Sequence, residues 1–193
     1  HNEDEIHNSK VILDLSLKEL KVENTILKEN IHIKIIGKEK VCIVGKNGSG
    51  KTTLIKEIYD NMKKRTDLKV GYMPQNYDDL LNSENTVLEF LRINYTKEEE
   101  TNIRTYLSSM KFTDDEINSK VLDLSGGQKA KLFIVKLILE KANVLILDEP
   151  TRNLSPLSNP VIRNLLKNFD GTIISVSHDR KFIEEVCSRV IEF

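Results

Sequence analysis

Apolar and polar residues alternate from Val11 to Leu17, and again through Ile31-His32-Ile33-Lys34-Ile35-Ile36. A period of two marks strands with one covered face, and both segments are predicted to lie in one antiparallel layer. Gly37 turns the chain into Val41-Cys42-Ile43-Val44, an unbroken apolar run of the kind buried on both faces. The apolar spacing then becomes helical in Thr53-Leu54-Ile55-Lys56-Glu57-Ile58. Lys63, Lys64 and Arg65 read as the solvated end of that helix, where cations suit the dipole. Lys69 to Met73 is a further strand, stopped by Pro74. From Asp78 to Lys120 the spacing is helical (Val87, Leu88, Leu91; Ile103, Leu107, Met110), which predicts a small helical subdomain. From Leu124 onward the order is helix, strand, helix, strand, helix, strand. Val144–Leu147 and Thr172–Val176 have the doubly apolar character of a parallel sheet. The expected architecture is one α/β domain over residues 11–193, with a mostly parallel sheet, an N-terminal antiparallel β subdomain and the helical subdomain near 78–120. Residues 1–10 are polar and are expected to be a disordered or extraneous tail.

The segment between the first buried strand and the first helix carries the strongest chemical signal. It reads Gly45-Lys46-Asn47-Gly48-Ser49-Gly50-Lys51-Thr52, followed by Thr53. Glycines at these spacings let the backbone turn several N–H groups inward around phosphate oxygens. Lys51 is placed to reach the terminal phosphates, and the Thr52 hydroxyl to ligate Mg²⁺. The helix that begins here adds its positive end.

Three further features fall at predicted strand or helix ends. Val144–Leu147 runs into Asp148-Glu149. In a parallel sheet, ligands collect at the carboxyl ends of strands, so Asp148 arrives where it can hold Mg²⁺, and Glu149 where it can polarise a water. His178 follows the strand ending at Val176, and Gln75 follows the strand ending at Met73. His178 is a candidate for the γ-phosphate and the attacking water. Gln75 is a candidate for the same magnesium and water. Each is also consistent with an ordinary surface residue. Leu124-Ser125-Gly126-Gly127-Gln128 opens a helix with a natural N-cap, Ser125, and two glycines that leave backbone N–H groups bare. One nucleotide is already served by residues 45–52, so this second anion site points to the nucleotide of another molecule.

Composition narrows the choices. The 193 residues carry a formal charge of −1 with 31% charged residues, which gives no electrostatic argument for an autonomous nucleic-acid binder, a class that normally carries a basic face. Cys42 and Cys187, far apart in sequence, suggest neither a disulfide framework nor a zinc site, and a reducing cytoplasm is the expected compartment. His1, His7 and His32 form no metal-binding pattern. No apolar run approaches the ~20 residues that cross a bilayer, and no signal peptide is evident. The chain opens on His1, which is read as the start of a piece of something longer.

Taken in order, Gly45–Thr52, Gln75, Leu124–Gln128, Asp148-Glu149 and His178 resemble the ATP-binding cassette (ABC) ATPases across nearly the whole chain. The Leu-Ser-Gly-Gly-Gln stretch is highly specific to that family. The resemblance implies a P-loop NTPase core of the ABC ATPase type, with ATP and Mg²⁺ as cofactors. It also implies a second cassette as partner, from the same polypeptide or a second copy, packed head to tail. On this resemblance Lys51 and residues 45–53 bind phosphates, and Thr52, Asp148 and Gln75 serve the metal. Glu149 is the catalytic base, Gln75 the lid residue and His178 the switch. Ser125, Gly126, Gly127 and Gln128 reach the partner's ATP in trans.

Finer segments are similar to second cassettes of the class-F branch, soluble tandem cassettes acting on ribosomes, several of which confer antibiotic resistance. These are Gly-Tyr-Met-Pro-Gln at 71–75, Thr-Val-Leu-Glu-Phe-Leu at 86–91, Gln-Lys-Ala-Lys-Leu at 128–132 and Asp-Glu-Pro-Thr at 148–151, together with the short stretch from Gln75 to Leu124. A ribosome is then the expected target, with nucleic acid met only indirectly through ribosomal RNA. The alternative is the nucleotide-binding subunit of a membrane transporter. A DNA-repair or chromosome cassette would need a long coiled coil between Lys51 and Leu124, and the chain has none. An ATP-gated binding module with negligible turnover is opposed by Glu149.

Three positions depart from the family pattern. Leu20-Lys21-Val22-Glu23 offers no ring for stacking on adenine. Ser155 stands where the family often has Asp. Lys131 stands where class-F chains commonly have Arg.

Overall fold

The computed structural model describes residues 5–193. Part of the polar tail expected to be disordered, residues 1–4, lies outside the described residues. The rest is tied to the fold: Ile6 is buried, and Glu5 pairs with Lys38 at 3.0 Å.

Two long strands open the chain, β1 (Val11–Val22) and β2 (Thr25–Ile36), paired antiparallel as expected. Leu13 and Leu15 meet Ile35 and Ile33 in register, and these four form one buried face. Both strands run further toward the hairpin than their apolar alternation suggests. Backbone pairing continues through Glu19↔Glu29 to Val22↔Thr25, with a register shift between Leu20 and Lys21. A ribbon whose ladder bonds are satisfied needs no apolar alternation to persist, so the polar tip was invisible to a period-two reading. Glu23 takes φ 55° at the turn.

The main sheet contains β3 (Lys40–Val44), β4 (Val70–Met73), β5 (Val144–Asp148), β6 (Thr172–Val176) and β7 (Arg189–Glu192), in the order β4-β5-β6-β3-β7. All its pairings are parallel. β3, β5 and β6 are apolar on both faces because both are covered. Val144, Ile146, Ile174 and Val176 face the layer built from β1, β2 and α1 (Lys51–Met62). Leu145, Leu147 and Ile173 face the helices on the other side. There α5 (Gly126–Leu139) packs with α6 (Asn159–Lys167) and α7 (Arg180–Val186), numbered after the three helices of the intervening segment. Those three are α2 (Val87–Leu91), α3 (Lys97–Ser109) and α4 (Asp114–Ile117). Each begins on a threonine N-cap: Thr86, Thr96 and Thr113 accept from Glu89, Glu99 and Glu116 backbone N–H groups. Their apolar faces join the α5 core through Val87, Leu91, Leu107 and Ile117.

The fold brings the two cysteines close together, a proximity that their sequence separation conceals. Cys42 is paired in register with Ser175 across β3 and β6, and the Ser175 hydroxyl lies 3.9 Å from Cys187 Sγ. Both thiols are free. No described helix is long and apolar enough to cross a membrane.

Candidate functional site

Sheet order decides which loops meet. β6 lies between β5 and β3, so the segments leaving the carboxyl ends of these three strands converge. They carry Asp148-Glu149, Ser177-His178 and the glycine loop. A cleft of about 570 Å³ opens there, lined by Asn47, Gly50, Lys51, Thr52, Gln75, Glu149 and His178 among others.

The glycine loop takes the conformation its sequence permits. Gly48 and Gly50 adopt φ 79° and 98°, a region that favours residues without a Cβ. Gly50 is the N-cap of α1. It also touches the β hairpin, since a Cβ there would come within 2.7 Å of Leu27 Cδ1. Lys51 folds over its own loop and donates from Nζ to the carbonyls of Gly45 at 2.6 Å and Lys46 at 2.8 Å. The ammonium is thus held over the hollow of the loop, where phosphate oxygens would displace those carbonyls.

Asp148, the last residue of β5, is 1% exposed, and neither carboxylate oxygen has a hydrogen-bond partner among the described residues. Burial pushes its proton affinity up. The Thr52 hydroxyl, Lys56, Arg152 and Lys51 offset part of this from nearby, Thr52 without reaching hydrogen-bond geometry. A buried carboxylate is normally satisfied, and two orphaned oxygens beside a threonine hydroxyl form a place where a cation would supply the missing partner. The donors Thr52, Asp148 and Gln75 are all hard oxygens. With phosphate oxygens to complete the shell, they fit Mg²⁺, which rarely takes an all-protein cage.

Glu149 follows with φ 54°, unusual for a residue with a side chain. Its N–H donates to the Val176 carbonyl at 2.8 Å, which holds this turn against β6. The result aims the carboxylate into the cleft, where Oε1 lies 3.3 Å from His178 Nε2. Burial raises the proton affinity of Glu149, and the neighbouring His178 works in the opposite direction. Glu149 is mostly sheltered, whereas His178 is about half exposed.

Two residues to which the sequence reading gave no role, Thr151 and Asp179, tie together the turns that carry this pair. The Thr151 hydroxyl donates to Asp179 Oδ2 at 2.9 Å, while Asp179 Oδ1 caps α7 by accepting from Lys181 and Phe182. The turn after Glu149 is therefore tied to the turn after His178. In the same way, Asn153 Nδ2 donates to Tyr77 Oη at 3.2 Å, linking that turn to the segment after Gln75. Thr151 ends the quoted Asp-Glu-Pro-Thr stretch and Asp179 follows His178, but their pairing across the sheet has no local sign.

Ser125 is the N-cap of α5, accepting from the Gln128 N–H at 3.2 Å. A Cβ on Gly126 would meet nothing within 4 Å, so this helix start is open. It borders a separate cleft of about 600 Å³ with Lys111, Asn153, Ser155 and Leu157. Within one chain, then, the structure unites residues 45–53, 75, 148–149 and 178, and leaves 125–128 apart from them. Gln128 differs from its three neighbours. Its amide turns inward and donates to Glu116 Oε2 at 2.7 Å and to the Lys111 carbonyl at 3.3 Å. Lys131 is likewise buried and donates to the Met110 carbonyl at 2.9 Å. Ser155 accepts from the Ser158 N–H in a tight turn before α6.

The wall of the first cleft that comes from the hairpin tip is Val22, Glu23, Thr25 and Leu27. As the absence of a ring in Leu20–Glu23 suggests, it is aliphatic and polar.

Comparison with known proteins bears on the family and the fold. The ABC transporter family model matches residues 28–152, well over half of the chain. The putative ATP-binding protein YdiF of Bacillus subtilis is 42% identical over 161 residues, covering 80% of this chain and 25% of that protein. ABC transporter F family member 5 of Arabidopsis thaliana is 34% identical, covering 88% and 26%. The chain thus spans between a quarter and about a third of the length of such relatives. Among solved structures, the dimeric ATP-binding cassette MJ0796 bound to ADP and Pi superposes with a TM-score of 0.73 at 22% identity, covering 95% of this chain and 93% of that one. That likeness speaks for the fold. With motif order, fold and family model in agreement, this chain belongs to the ABC transporter family, as one of its ATPase cassettes.

Proposed function

We propose that this cassette closes head to tail on a second cassette around Mg–ATP, and that the closed pair hydrolyses the ATP to drive a larger assembly. One observation carries the reading: the open serine-capped helix start lies in a cleft of its own, away from the chain's phosphate loop. An anion site with no anion of its own fits the nucleotide of a partner. Solved relatives of the same fold that are described as dimeric support the arrangement.

In this reading residues 45–53 bind the phosphates through backbone N–H groups, the start of α1 and the Lys51 ammonium. Mg²⁺, held by Thr52, Asp148 and Gln75, would neutralise charge on the phosphate oxygens. Glu149 accepts the proton of the attacking water. Its sheltered carboxylate is a stronger base than an exposed one, and His178 at 3.3 Å orients it. Ser125, Gly126 and Gly127 meet the partner's γ-phosphate, and Gln128 braces the helix that presents them.

The assembly we propose is of the class-F type, a cytoplasmic protein acting on the ribosome in translation or antibiotic resistance. The relatives named as F family members support this, and any contact with nucleic acid would then be with ribosomal RNA. Phosphate release measured with Glu149→Gln tests the catalytic assignment: turnover falls at least ~10²-fold while ATP binding persists. In the same assay the wild-type rate rises with protein concentration. A rate per molecule that is independent of concentration refutes the composite site. Co-sedimentation of the full-length protein with ribosomes, using the same substitution and ATP, tests the target.

A further inference from the structure

We infer that Tyr77 is a positioning residue for ATP hydrolysis: its hydroxyl, bonded to Asn153, fixes Gln75 beside Glu149. The inference rests on the roles given above to Gln75 and Glu149. β4 and β5 are neighbours, and their pairing ends with Met73 opposite Leu147. Gln75 and Glu149 each lie two residues beyond that pair, so their segments leave the sheet side by side. Glu149 is still fastened there, through its N–H to the Val176 carbonyl at 2.8 Å. Gln75 instead sits exposed in the span 74–76, between Met73 and Tyr77, which are both buried. Where Gln75 stands is therefore set by the two ends of that span.

The far end is Tyr77. Its ring packs on Phe133 of α5, with centroids 5.5 Å apart, inside the helix-side core. Apolar contact is non-directional, so packing alone leaves a ring free to slide over its neighbour. The hydroxyl removes that freedom by accepting from Asn153 Nδ2 at 3.2 Å. Asn153 belongs to the turn that follows Glu149. There the Arg152 N–H donates to the Glu149 carbonyl at 3.2 Å, and the Leu154 N–H to the Thr151 carbonyl at 3.2 Å. Leu154 is buried and anchors this turn in the same core as Tyr77. Two segments joined by a strand ladder at their base are thus joined again at their far end, with Gln75 and Glu149 between.

Tyr77→Phe deletes the hydroxyl and keeps the ring. The freed Asn153 amide is exposed and turns to water, so the melting point is expected to stay within about 2 °C of the wild type. Amide hydrogen exchange on the nucleotide-free 193-residue chain is expected to quicken about fivefold in residues 74–81 and 150–154 together. Turnover at fixed protein concentration is expected to fall about tenfold with the ATP KM unchanged. Asn153→Ala is expected to match it, and the double variant to be no worse than either. In a Gln75→Ala background Tyr77→Phe is expected to cost nothing further, because the hydroxyl acts through Gln75. Unchanged exchange in Tyr77→Phe overturns the inference. So does wild-type turnover in Tyr77→Phe when Gln75→Ala is impaired, or a further loss in the Gln75→Ala background; each leaves the site itself standing. Full turnover in Gln75→Ala overturns instead the role of Gln75 on which the inference rests.

Discussion

Asp148→Asn should make the metal-free protein more stable and the nucleotide-loaded protein less so. The side chain is 1% exposed at the end of a central strand, with neither oxygen hydrogen-bonded. An unpaired buried polar group costs about 1–3 kcal/mol, and a charged one more. Lys56, Arg152 and Lys51 offset part of the charge from a distance. Asparagine keeps the shape and removes the charge, but leaves a neutral amide equally short of partners. The expected gain is the difference, about 2 kcal/mol. For a domain of this size each kcal/mol moves the melting point by about 2–4 °C, so the shift is about 4–8 °C upward. Thermal melting at pH 8 with EDTA measures it. With saturating Mg–ATP the order reverses: the wild type gains about 2.7 kcal/mol at a hundred times the dissociation constant, and the variant gains little. An Asp148→Asn protein that melts at or below the wild type in EDTA refutes the reasoning, because the carboxylate must then have a favourable partner of its own.

Two further outcomes follow from other contacts. Tyr72 stacks on Tyr59 with centroids 4.4 Å apart, and burial pushes its phenol up to about 12. The unfolded chain releases that proton near pH 10. The folded state therefore holds it longer, and stability present below pH 10 is lost as pH rises toward 12. Tyr72→Phe should flatten the fall in melting temperature over that window, and absorbance near 295 nm should lose one late-titrating phenolate. Thr151→Val deletes the 2.9 Å bond to Asp179 and leaves a carboxylate oxygen unpaired. It should cost about 2 kcal/mol in urea unfolding and lower turnover several-fold, with Thr151→Ser restoring both. Normal turnover in the valine variant argues against this tie as the support for Glu149 and His178.

The glycine loop, the Ser125 cap and the three doubly apolar strands were readable from sequence because each is a local matter. A loop that must adopt φ 98° at Gly50 declares itself by glycine, and a strand covered on both faces declares itself by an unbroken run such as Val144–Leu147. Helix starts announce their caps in the same way. What the sequence left undecided is whatever depends on partners distant in the chain. The orphaned state of Asp148, the inward turn of Gln128 onto Glu116 and the tie from Thr151 to Asp179 all require distant segments to meet. So do the proximity of Cys42 and Cys187 through Ser175, and the closure of Leu27 over the phosphate loop. Periodicity encodes which face of an element is covered. Only the packed sheet, with β6 seated between β5 and β3, decides what covers it and which loops share a cleft.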